Sequence, residues 1–130
     1  MTLLHVPVSI GEVIDKITIL HLKLAHMAEA GPRANVAAEL ALLEEAAAAY
    51  LPQITALMAA LAEVNHALWQ IEDAIRDCEY NQDFSSKFID LARSVYLRND
   101  ERAAIKRKIN LTLGSTLVEE KSYRDYARQD

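Results

Sequence analysis

Apolar residues recur at every third or fourth position over most of this chain, and that spacing constrains its fold more than any other feature. Ile10, Val13, Ile14, Ile17, Leu20, Leu24, Met27 and Ala28 form one such run, the period of a helix that buries one face. Val36, Leu40, Leu43 and Ala47 form a second. Ile54, Leu57, Met58, Leu61, Val64, Leu68, Ile71 and Ile75 form a third, and Phe88, Ala92 and Val95 open a fourth. No segment alternates long enough to make a strand. Twenty-one alanines and 17 leucines against three glycines and three prolines add a helix-forming bias.

Local signals place the boundaries. Ser9 and Glu12 are spaced as a capping box at the start of a helix over 10–28. Gly31 and Pro32 are expected to end it, with a second helix over 34–50. Pro52 either starts or kinks a third that runs to about Glu79. Ser85 or Asp83 caps a fourth that reaches Leu111, and Gly114 stops it. Thr116 and Glu119 are spaced as another capping box, for a short helix ending near Tyr126. The expected fold is all-α: an antiparallel bundle of about four long helices plus a short C-terminal helix. It forms one domain over residues 1–130, with 1–8 as an extended arm.

Composition excludes several function classes. Cys78 is the only cysteine, so neither an internal disulfide nor a cysteine-based zinc site can form. The stretch 46–62 is the longest without charge, is interrupted by Pro52 and Gln53, and is too short to span a bilayer. No signal peptide is expected, so the cytoplasm is the expected location. His5, His21, His26 and His66 lack metal-ligand spacing, and no metal or cofactor is expected. Residues 1–90 carry five bases and 13 acids, whereas 91–130 carry nine and six. The basic residues of the fourth helix, Arg93 to Lys108, point in several directions, so a solvated surface fits better than a nucleic-acid stripe.

Helical projection shows where the chain departs from its own pattern. The apolar line of the third helix continues through Asn65, Trp69, Glu72 and Arg76, at spacings of four, three and four. That of the fourth continues through Asn99, Arg102, Lys106 and Asn110. His21 lies in line with Ile14 and Ile17. A hairpin about residue 82 brings Asn65 near Asn99 and Arg102, and a first helix parallel to the third adds His21. Unpaired, such groups cost several kcal/mol each, so they must pair. They form a self-satisfied layer, a pocket for a small anionic ligand, or a surface covered by a partner subunit. In the pocket reading, Arg102 and Lys106 contact the anion and Asn65 and Asn99 orient it.

Several stretches resemble a family of small bacterial proteins of unknown function, DUF6165. These are residues 6–20 (VPVSIGEVIDKITIL), 68–73 (LWQIED), 88–96 (FIDLARSVY), Asn99-Asp100 with Arg102, and 119–123 (EEKSY). The resemblance covers nearly the whole chain and implies no activity. Family members often carry an acid where this chain has His21. Small all-α chorismate mutases, which bind a dicarboxylate among helices, are similar in architecture only: the first helix here has Lys16 and Lys23 but no arginine.

The leading expectation is a non-catalytic binding or protein-interaction module, a homodimer built on lateral helix surface. The alternative is a small helical enzyme acting on a carboxylate or phosphate metabolite, with Glu72 as its acid or base.

Overall fold

A computed structural model describes residues 2–126. It contains four α-helices and, among the described residues, no strand: α1 (Ile10–His26), α2 (Ala30–Ala47), α3 (Thr55–Tyr80) and α4 (Ser86–Leu113). Pro52 sits in a single 3₁₀ turn, Leu51–Gln53, which separates α2 from α3. The all-α expectation holds. The short C-terminal helix does not form: residues 115–126 have no regular structure. Glu119, which would have capped such a helix, instead reaches Lys106 of α4 at 2.9 Å.

Helix boundaries differ from expectation at one corner. α1 stops at His26, and α2 already begins at Ala30 with Gly31 and Pro32 in its first turn. There a proline lacks no needed donor, because first-turn amides have no intrahelical partner. Arg33 then donates from α2 to the backbone carbonyls of Leu24 and Met27, closing the open end of α1.

The core gathers Ile14, Ile17 and Leu20 of α1 with Val36, Leu40, Ala47, Ile54, Leu61 and Ile109. α3 and α4 form a hairpin whose corner puts Gln82 at φ 53°, with the Asp83 amide on the Cys78 carbonyl at 2.8 Å. Gly114 plays the same part after α4, at φ 66°, and Ser115 donates to the Asn110 carbonyl at 2.8 Å.

That last turn sets the position of α1. Ser115 Oγ accepts the Ile10 amide at 3.2 Å, and Asn110 Oδ1 accepts the Gly11 amide at 2.6 Å. Ser9 Oγ accepts the Glu12 amide at 3.3 Å, half of the expected capping box. Glu12 does not reach back to Ser9; its carboxylate holds Lys106 at 2.6 Å. The amides that open α1 are thus closed largely by the end of α4. Gly11 is required at this contact. A Cβ there would lie 2.7 Å from the Lys106 carbonyl oxygen and 2.9 Å from Asn110 Oδ1. Gly11→Ala is expected to lower stability by about 1–3 kcal/mol in urea unfolding, because backbone on the facing helix must move.

Candidate functional site

The polar line on α4 meets α1 residue by residue. Asn110 pairs with Gly11, Lys106 with Glu12, and Arg102 with Asp15. Rising numbers on α1 therefore match falling numbers on α4. At the centre lies Asp15, 1% exposed. Arg102 Nε donates to both carboxylate oxygens, at 3.0 and 3.1 Å, and Nη2 donates to Oδ2. Asn65 of α3 donates through Nδ2 to Asp15 Oδ1 and to Thr18 Oγ1, both at 2.8 Å. Thr18 in turn donates to the Asp15 carbonyl at 2.7 Å. One buried carboxylate thus joins three helices.

A second cation closes the layer from above. Lys106, 7% exposed, bridges Glu12 at 2.6 Å and Glu119 at 2.9 Å, and lies 3.8 Å from Asp15. Burial works against its charge, but hydrogen bonds to Glu119 and Glu12 and the field of Asp15 outweigh that, and its pKa is raised. The Arg102 pKa is raised by its hydrogen bonds to Asp15, against burial. Glu119 is held below the usual carboxylate range by its hydrogen bond to Lys106. Asn110 is 1% exposed; Oδ1 is used on Gly11 and Nδ2 has no partner among the described residues.

The remaining candidates lie one level out, where α1 ends and the hairpin continues. An open groove of about 570 Å³ is lined there by Ile19 and Leu22 of α1, by Leu68, Trp69, Glu72 and Arg76 of α3, and by Asn99 and Arg102 of α4. Asn65 forms part of its floor. The Trp69 ring packs on His26 at 4.7 Å. Glu72 and Arg76 form an exposed pair at 2.8 Å, one turn apart on the same helix. His21 is not in the layer. It is exposed and lies 3.5 Å from Glu44 of α2. Its position in line with Ile14 and Ile17 was misleading, because the burial line of α1 turns toward Leu20 and Leu24.

Projection on α3 and α4 found Asn65, Arg102, Lys106 and Asn110, but their partners on α1 were missed. A signal was present: Gly11, Asp15, Thr18 and Leu22 follow one another at four, three and four residues, the same spacing as the polar line on α3. The expected return of Glu12 to Ser9 also hid its reach to Lys106.

Among the described residues, no helix is long and apolar enough to cross a membrane, and no cluster of histidine, cysteine and carboxylate side chains could hold a metal ion. Comparison with known protein families matches residues 4–128 to a family of unknown function, DUF6165. The chain belongs to this family. No curated protein and no solved structure matches it. For this DUF6165 protein the polar layer is therefore interpreted from its own geometry.

Asn65→Ala removes the buried amide that both the Asp15 carboxylate and the Thr18 hydroxyl accept from, and is expected to lower stability by about 1–3 kcal/mol. His21→Ala, on the surface, is expected to change it by less than about 0.5 kcal/mol. Chemical denaturation of the two variants checks the contrast; equal effects would contradict it.

Proposed function

We propose that this protein is a non-catalytic protein-interaction module, whose contact surface is the groove at the end of α1 and the hairpin face that continues from it. The observation that carries the reading is the closure of the polar layer. Asp15 is occupied by Arg102 and Asn65, and Lys106 by Glu12 and Glu119. Three acids thus face two bases, so no surplus of positive charge is left to hold an anion. The pair Glu72–Arg76 is neutral as a unit, and Glu72 is exposed and committed to its own helix. A general acid or base would need to face a reacting atom in a sheltered site.

What the groove offers a partner is apolar contact with a polar margin. Ile19, Leu22, Leu68 and Trp69 supply the apolar part, and Asn99 supplies an amide without a protein partner among the described residues. Grooves of this kind suit side chains from another protein, with the aromatic ring as anchor. The one thiol, Cys78, is buried and unpaired, which suits the reducing cytoplasm as the place of action.

Trp69 is the only tryptophan and reports directly on the groove. Titration with inorganic phosphate or citrate is expected to leave its emission unchanged. A partner protein captured by the wild type is expected to shift that emission and to be lost with Leu22→Glu. Saturable binding of either anion, or a partner retained equally by the variant, would overturn the reading.

A further inference from the structure

The α3–α4 hairpin is longer than the helices that cover it. α4 has 28 residues and α1 has 17, roughly 42 Å against 26 Å of helix. All core side chains come from the covered half; Cys78 is the only buried residue between 66 and 105. Beyond Trp69, the two helices pack on each other, and among the described residues the only further cover is the segment 121–126, which lies along Val95 to Ala103 of α4 with the Tyr126 ring on Tyr96 at 5.5 Å. Two helices cannot bury an apolar stripe on both flanks. Phe84, Ile89 and Leu97, away from that segment, are accordingly 41–54% exposed.

Charge on this uncovered half is sorted by helix. Residues 70–80 of α3 hold four acids and one base, and residues 86–98 of α4 hold three bases and one acid. These groups do not neutralise one another across the hairpin. Asp73, Asp77 and Glu79 form no ion pair with another described residue, and neither do Lys87 and Arg93. An acidic helix beside a basic one is complementary to its own copy turned through a two-fold axis, the requirement for an isologous interface.

We infer that the partner on this face is a second copy of the chain: two hairpins pack as a four-helix bundle, the acidic α3 of each opposite the basic α4 of the other. The exposed Phe84, Ile89 and Leu97 contribute apolar cover, and the unpaired charges on both arms set the alignment. This rests on the interaction-module reading and names its partner.

Light scattering at micromolar concentration tests it. The wild type is expected at twice 14.5 kDa. Reversal of the α3 arm (Asp73→Lys, Asp77→Lys, Glu79→Lys) or of the α4 arm (Lys87→Glu, Arg93→Glu) is expected to weaken the dimer at least about tenfold, since like charges then oppose each other. Mixing the two variants, each with wild-type helical circular dichroism, is expected to restore a one-to-one heterodimer. A monomeric wild type overturns the inference, as do reversed variants that dimerise like the wild type or fail to rescue each other. A monomer whose Trp69 groove still captures another protein would remove the dimer and leave the interaction-module reading standing.

Discussion

A carboxylate buried to 1% exposure is the constraint on which this fold turns. Removing such a group from water costs several kcal/mol unless other groups replace the lost hydration. Asp15 meets that demand with a guanidinium from α4 and an amide from α3, while Thr18, three residues on, ties the amide back to α1. Because the partners sit on different helices, the carboxylate is satisfied only when all three are aligned. Apolar packing tolerates small slides between helices; a bidentate pair does not.

Other contacts follow from that alignment. With Arg102 on Asp15, the next turns of α4 bring Lys106 to Glu12 and Asn110 to Gly11. The start of α1 then finds its acceptors on the end of α4, and a glycine is needed where the backbones meet. Fixing α1 at this register also fixes where it ends, near Trp69. The step that results leaves a groove, and beyond it a hairpin with one uncovered face and oppositely charged arms. The surfaces proposed for partners are thus a geometric consequence of the buried layer, although the layer itself is closed to them.

Much of this was legible in the chain. The helix count followed from periodicity, because each long run has one apolar face to bury. Asn65, Arg102, Lys106 and Asn110 were legible as interior because polar residues occupy an apolar line. Asp15 was harder: it lies beside the apolar line of α1, on the flank that faces α4, and only the neighbouring helix makes that flank interior. His21 failed in the opposite way, since the idealised line passes through it while the packed helix turns it outward. Pro32 reads as a helix terminator, yet it occupies the first turn of α2, where its missing N–H removes no intrahelical bond. The Thr116–Glu119 spacing would cap a helix in isolation, but the buried Lys106 is a stronger partner for Glu119 than a backbone amide.

The Asp15–Arg102 pair holds α1 against α4. A double-mutant cycle of Asp15→Leu, Arg102→Leu and the combined variant, measured by equilibrium unfolding, tests that claim directly. Each single change is expected to cost about 3–5 kcal/mol, since it strands a buried charge. The combined change is expected to cost less than the sum, with a coupling of about 1–3 kcal/mol. Single changes with little effect, or strictly additive ones, would contradict the claim.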